Sequence, residues 1–241
     1  MFNLSLALIL LTGCAQKSEV DALDARVKAV EEKVATMEKS GGGKAGAPAA
    51  STADEEAATK LMTEVQDAMK ANDYTTAKAK LAELQEKYAA TRAGKAGVRM
   101  ASEVNLVGSD AAPLEVDKWF QGKANLGDSK ATLVVFWEVW CPHCKREVPK
   151  MAAEEAKYKA KGIQLVGITK VTKSATDEKV VEFLKENKVN FPIGKEKDGS
   201  LSAAYAVSGI PAAALVKDGK VIWRGHPARL TDEVLDKLLA G

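Results

Sequence analysis

The sequence predicts an α/β fold for residues 105–241. Two apolar runs rich in β-branched residues, 132–137 and Ile163–Thr169, are typical of strands buried on both faces. Helical stretches alternate with these runs, which is typical of βαβ units. The pair Asp218-Gly219 lies between two further apolar runs and indicates a hairpin. A helical region and a stalk are expected to precede this domain.

The other elements of this domain follow from periodicity and capping signals. A helical stretch is expected from the C-x-x-C motif to about residue 161, interrupted by Pro149. An amphipathic pattern predicts a helix over 177–187. Residues 231–239 predict a closing helix, with Thr231 as its N-cap. The hairpin strands are expected at Ala212–Lys217 and 220–224.

Composition excludes several classes of protein. The 241 residues carry 35 Lys and Arg against 33 Asp and Glu, a balance too even for binding nucleic acid by phosphate neutralisation. No apolar run reaches the roughly 18 residues of a spanning helix, so a polytopic membrane protein is excluded. The three cysteines are too few for a disulfide scaffold or a four-cysteine zinc site.

The N-terminus is interpreted as a lipoprotein signal. Residues 4–11 form a short apolar run, and the following Leu11-Thr12-Gly13-Cys14 resembles a bacterial lipobox. The resemblance implies a signal peptide over 1–13, lipidation of Cys14 and a lipid anchor in the outer or inner membrane, with the chain facing the periplasm. The alternative is an ordinary hydrophobic leader with an incidental cysteine.

Residues 14–39 are predicted to form a coiled-coil stalk. Apolar residues recur there at 3-4 spacing, the a/d pattern of about three heptads: Val20, Leu23, Val27, Val30, Val34 and Met37. The pattern predicts a homo-oligomer through residues 20–37, either a dimer or a trimer. The alternative is a single helix that packs against the chain's own domain.

A flexible linker and a helical region follow the stalk. Residues 40–53 are rich in Gly, Ala, Pro and Ser, which is typical of a flexible linker. Residues 54–104 predict three helices, the first capped by Asp54. Residues 72–100 resemble a tetratricopeptide-like hairpin, and one such repeat must pack on a neighbour. A peptide-binding groove and a plain spacer are both compatible with this pattern.

Three motifs in the C-terminal domain resemble the thioredoxin family. They are Phe136-Trp137-x-x-Trp140-Cys141-x-x-Cys144, the helix-kinking Pro149, and Gly209-Ile210-Pro211 before a strand. The resemblance covers residues 105–241 and implies a thioredoxin fold, a central mixed sheet flanked by helices. The Glu147-Val148-Pro149 sequence and the leader are most similar to the membrane-tethered TlpA/ResA group.

The C-P-H-C motif indicates disulfide exchange. At a strand-to-helix junction, Cys141 lies at the helix N-terminus, where free N–H groups and the helix dipole favour a thiolate. Pro142 suits the first helical turn, and Cys144 follows one turn later. We therefore assign Cys141 as nucleophile and Cys144 as resolving thiol. Their disulfide is the redox centre, with no further cofactor and no metal expected.

The resemblance also implies how the site is tuned. Pro211 is expected to be cis and to face Cys141, and the backbone of Ile210 to pair with an extended substrate. Trp140 is expected to shield the disulfide, whereas Trp137 belongs to the core. The Pro142-His143 pair matches DsbA-type oxidants, whereas Ile210 is thioredoxin-like. The redox direction therefore stays open.

The proton acceptor for Cys144 is unassigned in the sequence, because Val135 occupies the place of the buried aspartate of thioredoxin. Glu138 is one candidate acid or base, although a carboxylate at a strand end is more often exposed. Lys170, at the end of the next strand, is another candidate and can alternatively assist the thiolate.

The leading interpretation is a membrane-anchored oxidoreductase acting on extracytoplasmic protein thiols, with a membrane redox partner and no nucleic acid. One alternative is a lipoprotein scaffold with a secondary redox role. Another is a copper-binding thioredoxin-like protein using Cys141, His143 and Cys144. A peroxiredoxin-type peroxidase needs a proline seven residues before its cysteine, where this chain has Val134.

Overall fold

A computed structural model of the protein describes residues 50–240. The predictions of a signal peptide, of lipidation at Cys14, of a coiled-coil stalk that forms an oligomer and of a linker over residues 40–49 concern residues outside the described range. Within 50–240, no helix combines the length and apolar character needed to cross a membrane.

Three helices form the first part of the described chain: α1 Thr52–Lys70, α2 Tyr74–Tyr88 and α3 Arg92–Leu106. The prediction of Asp54 as the cap of α1 was wrong. Ser51 is the N-cap, and Asp54 completes a capping box by accepting from the Ser51 backbone N–H. The third helix ends at Leu106, so the boundary expected after residue 104 falls inside it.

The remaining chain forms a six-stranded mixed sheet. Its strands are β1 Lys118–Gln121, β2 Ala131–Trp137, β3 Ile163–Thr169, β4 Ile193–Lys195, β5 Ala212–Lys217 and β6 Lys220–Gly225. They lie in the order β1-β4-β3-β2-β5-β6, with β3 parallel and β5 antiparallel to the central β2. The predicted strands are confirmed, whereas the short β1 and β4 were not predicted.

Five α-helices and a short 3-10 helix at Pro227–Arg229 complete this domain. The α-helices are α4 Pro142–Ala153, α5 Glu155–Ala160, α6 Asp177–Glu186, α7 Ser200–Ala204 and α8 Asp232–Ala240. Helix α4 continues through Pro149, and the interruption expected there lies at Glu154 instead. Thr231 caps α8 as predicted, since its hydroxyl accepts from the Val234 N–H at 3.3 Å. The β2-α4-β3 unit, the β5-β6 hairpin and α8 make this a thioredoxin fold.

Every residue of β2 is buried, because helices cover both faces of the sheet. Alternate residues enter two apolar clusters. Leu133, Val135 and Trp137 enter one of them, and Val134 and Phe136 enter the other. The end of β2 therefore leads straight out of a rigid core into the C-P-H-C motif.

The helical region packs against the edge strand β6. The Tyr74 hydroxyl donates to the carbonyl oxygen of the buried Arg224 at 3.1 Å. Glu103 of α3 lies 3.9 Å from the Arg224 guanidinium. The Lys78 ammonium donates to the Val107 carbonyl at 2.6 Å. Residues 108–111 then pair with the start of β6, where the Gly108 N–H donates to the Val221 carbonyl at 2.7 Å. The helices and this segment together cover an edge that would otherwise be open to strand pairing.

Candidate active site

Cys141 is the N-cap of helix α4, as the motif predicted. Its Sγ accepts a hydrogen bond from the Cys144 backbone N–H at 3.4 Å. Its thiol donates to the Ile210 carbonyl oxygen at 3.7 Å. Pro142 takes the first helical position, where a missing N–H costs nothing. The helix N-terminus therefore presents a donor to the sulfur of Cys141.

Cys144 lies one turn further into the helix and is completely buried. Burial raises the pKa of its thiol, and a side-chain hydrogen bond between this thiol and Cys141 raises the pKa further. Both cysteines are free thiols in the structure. The pair thus combines one sulfur at the helix end with one protonated thiol beneath it.

The loop that faces Cys141 precedes strand β5. The Ile210–Pro211 peptide bond is cis, as predicted. The Ile210 side chain is half-buried and packs against both apolar clusters. The loop therefore brings a backbone carbonyl to the reactive sulfur, and Pro211 itself is buried at the start of the strand.

Glu138 is buried, so the expectation of an exposed strand-end carboxylate was wrong. Its Oε2 accepts from the Trp140 indole Nε1–H at 2.6 Å. The Thr172 hydroxyl, in the loop after β3, donates to the same oxygen. The residue is buried because that loop and the Trp140 ring cover the strand end.

Trp140 is half-buried beside the motif and is fixed by these contacts. The ammonium of Lys173 lies 3.1 Å from the centre of its indole ring, a cation–π contact. Trp137 is buried and packs against Phe183 of α6 with the two rings tilted by 37°, so its assignment to the core is confirmed. The two tryptophans thus have the separate surroundings that the sequence predicted.

Lys170 directly follows β3 and lies 3.5 Å from a carboxylate oxygen of Glu196. Glu196 is buried and accepts from the Ser202 backbone N–H at 3.0 Å and from the Ser202 hydroxyl. The ammonium is thereby paired with a carboxylate, and Lys170, Glu196 and Glu138 all line one cavity.

His143 is exposed on the first turn of α4. The Arg146 guanidinium donates to its Nδ1 at 2.7 Å. Because a guanidinium only donates, Nδ1 is the acceptor in this contact. The ring is therefore held by Arg146, a partner that the sequence analysis did not identify.

Sequence reasoning also missed Thr172, Lys173, Glu196 and Ser202. The loop residues Thr172 and Lys173 follow a buried strand, a position where site residues are common in α/β folds. Glu196 and Ser202 carry no motif signal. Within residues 50–240, no group of three or more His, Cys, Asp or Glu side chains is arranged to hold a metal ion.

A dithiol at the start of the first helix of a thioredoxin fold, faced by a cis-proline loop, defines a thiol–disulfide oxidoreductase. Residues 107–224 match the AhpC/TSA family. Thiol-disulfide oxidoreductase ResA of Bacillus thuringiensis subsp. konkukian is 33% identical over 119 residues, which cover 48% of this chain and 67% of that protein. The chain therefore belongs to the thioredoxin-like thiol–disulfide oxidoreductases of the ResA type.

Two further relatives are similar. Sporulation thiol-disulfide oxidoreductase A of Bacillus subtilis is 30% identical over 104 residues, covering 43% of this chain and 63% of that protein. The crystal structure of StoA from Bacillus subtilis matches 53% of this chain and 98% of its own, with 27% identity and a TM-score of 0.44. A peroxidase motif remains disfavoured, because it needs a proline at the position of Val134. Val134 lies inside strand β2.

Proposed function

We propose that this chain is a lipid-anchored oxidoreductase that exchanges disulfides with extracytoplasmic protein thiols through Cys141 and Cys144. The observation that carries the proposal is the position of Cys141. Its sulfur lies between the helix N–H of Cys144, at 3.4 Å, and the Ile210 carbonyl, at 3.7 Å. An extended peptide that pairs with the Ile210 backbone brings its own sulfur to Cys141.

In the reductive direction, the Cys141 thiolate attacks one sulfur of a substrate disulfide. A new S–S bond forms, the substrate S–S bond breaks, and the released substrate thiolate takes a proton. Cys144 then loses its proton and attacks the Cys141 sulfur, releasing the second substrate thiol. The substrate disulfide is reduced to two thiols, while the Cys141–Cys144 pair is oxidised to a disulfide. The reverse sequence oxidises a substrate dithiol.

Burial of Cys144 supports the assignment of Cys141 as nucleophile and Cys144 as resolving thiol. A fully buried, protonated thiol is a poor nucleophile toward outside disulfides but is placed to attack a sulfur one helical turn away. Glu138 is the proposed acid or base for Cys144, since it is the buried carboxylate next to the motif. Lys170 is less suited to that role, because its ammonium pairs with Glu196.

The proposed location rests on residues 4–14. Lipidation of Cys14 would anchor the chain at a membrane surface, and the heptads over 20–37 would hold two or three active sites together. A membrane redox partner would restore the starting state of the dithiol. Replacing Cys14 with Ser should release the chain from the membrane fraction without changing its redox chemistry.

The decisive measurement is the reduction potential of the full chain in detergent. The protein is equilibrated with glutathione and dithiol buffers, and the thiol and disulfide forms are separated by alkylation. A value near the DsbA end, about −120 mV, would assign an oxidant; a value near about −270 mV would assign a reductase. Failure to form a reversible dithiol–disulfide couple would contradict the proposal. Cys141→Ser is the control that must abolish the couple.

A further inference from the structure

A small cavity lies against the loop that faces Cys141. Its volume is about 200 Å³, below the roughly 300–1,000 Å³ of pockets that hold drug-sized ligands. Phe136, Ile168 and Ile210 form apolar walls, and Glu138 and Glu196 contribute carboxylates. A cavity of this size and lining suits one side chain of a bound polypeptide.

The charges inside the cavity do not cancel. Glu196 is satisfied by the backbone and hydroxyl of Ser202 and by the ammonium of Lys170. Glu138 is more than nine-tenths buried, and both of its hydrogen bonds, from Trp140 and Thr172, go to Oε2. Its Oε1 receives no hydrogen bond from residues 50–240. Two carboxylates and one ammonium leave one negative charge with an unpaired acceptor.

Among the described residues, the buried side-chain polar atoms that lack a partner are the indole nitrogens of Trp137 and Trp223, so Glu138 Oε1 stays accessible to an incoming donor. A cationic side chain with an aliphatic stem suits this lining, since its stem covers the apolar walls and its charge can reach Oε1. The surface around the motif has the opposite character. Lys145, Arg146 and Lys173 are exposed there, so general electrostatic steering would not favour a cationic substrate.

The cavity also lies where a substrate side chain would arrive. Ile210 both lines it and offers the carbonyl that contacts the Cys141 thiol. A peptide extended along this loop, with its cysteine at Cys141, directs a neighbouring side chain toward the cavity.

We infer that this cavity is a specificity subsite for a Lys or Arg side chain flanking the reactive cysteine of an extended protein substrate, with Glu138 as its anionic contact. This inference rests on the proposed function, because it concerns the substrate of the same dithiol.

The test uses the reduced full chain and three peptide disulfides, Ac-Xaa-Cys-Xaa-NH₂ dimers in which Xaa is Lys, norleucine or Glu. Norleucine keeps the stem of Lys without its charge. The wild-type second-order rate constant should be at least about fivefold higher for the Lys peptide than for the norleucine peptide, and lowest for the Glu peptide. In Glu138→Gln, which preserves shape and an acceptor for Trp140, the Lys-to-norleucine ratio should fall to about one.

Glu182→Gln is the matched control. Glu182 is an exposed carboxylate in a separate groove that Trp140 also lines, so this variant should keep the wild-type ratio. A wild-type ratio near one overturns the inference even if Glu138→Gln fails to fold. A ratio that survives in a folded Glu138→Gln also overturns it.

Reaction with glutathione disulfide distinguishes failure of the subsite from failure of the proposed function. If the wild type reacts with glutathione disulfide but shows no preference among the peptides, the subsite is wrong and the proposed function stands. If it reacts with neither, the proposed function fails and the subsite with it.

Discussion

The thiol of Cys141 donates to the carbonyl oxygen of Ile210, with 3.7 Å between Sγ and oxygen. This contact joins two segments that are 69 positions apart in the chain, the start of α4 and the loop before β5. The Ile210 carbonyl belongs to the backbone proposed to pair with substrate. An incoming peptide and the reactive sulfur therefore meet at a place that the sheet has already fixed.

Replacing Cys144 with Ala should trap the reaction halfway. Cys141 can still attack glutathione disulfide, but no second thiol follows to release it. We expect intact-mass spectrometry to show one glutathione adduct in Cys144→Ala and only the internal disulfide in the wild type. Cys141→Ala should form little adduct, because Cys144 is fully buried. An equally rapid adduct on Cys144 in Cys141→Ala would reverse the assigned roles.

The stability of the reduced protein should fall with rising pH above about 9. Burial raises the pKa of Cys144 in the folded state above its ordinary value of 9.0. Above pH 9.0 the Cys144 thiol of the unfolded chain loses its proton, while the same thiol in the folded chain keeps it. The unfolded state then binds fewer protons, so the free energy of unfolding decreases, by at most about 1.4 kcal/mol per pH unit.

Urea unfolding between pH 8 and 10 measures this effect, with Cys144→Ala as the control that should lack it. Burial also raises the pKa of Tyr158 and Tyr205, to about 12 in each case. These tyrosines contribute only above the ordinary tyrosine value of 10.0 and equally in both proteins. Parallel pH profiles for wild type and Cys144→Ala would show that Cys144 is not the group responsible.

Strong local signals made much of the fold predictable. Strand Ile163–Thr169 was predicted to the residue, because a continuous apolar run has one stable place between two helical layers. The Asp218-Gly219 turn was predictable because an Asp-Gly pair readily adopts the positive φ angles that a tight hairpin requires. In the structure these angles are 50° and 73°. The C-P-H-C motif was predictable because its chemistry needs two thiols one helical turn apart.

What escaped prediction depends on contacts between distant segments. Strands β1 and β4 have only four and three residues, too few for a periodic pattern. The burial of Glu138 depends on Thr172, which is 34 positions away in the chain. Glu196 joins the cavity because Ser202 and Lys170 hold it there. No local pattern encodes such pairings.

Tyr74→Phe should weaken the attachment of the helical region to the thioredoxin fold. The Tyr74 hydroxyl donates to the Arg224 carbonyl at 3.1 Å and accepts from the Arg224 N–H at 3.4 Å. Removing it leaves two buried backbone groups of β6 without this partner. We expect a loss of about 1–3 kcal/mol in the free energy of unfolding.

Urea unfolding followed by tryptophan fluorescence and by far-ultraviolet circular dichroism measures this loss. The matched control is Tyr88→Phe, since Tyr88 is half-buried and its hydroxyl makes no hydrogen bond within residues 50–240. The control should change stability by less than about 0.5 kcal/mol. Equal stability of the two variants would show that the Tyr74–Arg224 contact is not a structural link.

Gly94→Ala should destabilise the helical region, although this change normally stabilises a helix by about 1 kcal/mol. A Cβ at Gly94 would lie 2.0 Å from the carbonyl oxygen of Tyr88, so the backbone between α2 and α3 would have to move. Overpacking of this kind costs about 1–3 kcal/mol. At Gly97, one turn later, the nearest atom to an added Cβ is the side-chain nitrogen of Gln85, at 2.6 Å. Because that side chain can rotate away, Gly97→Ala should lose less stability, and thermal unfolding that ranks the two variants the other way would contradict this packing.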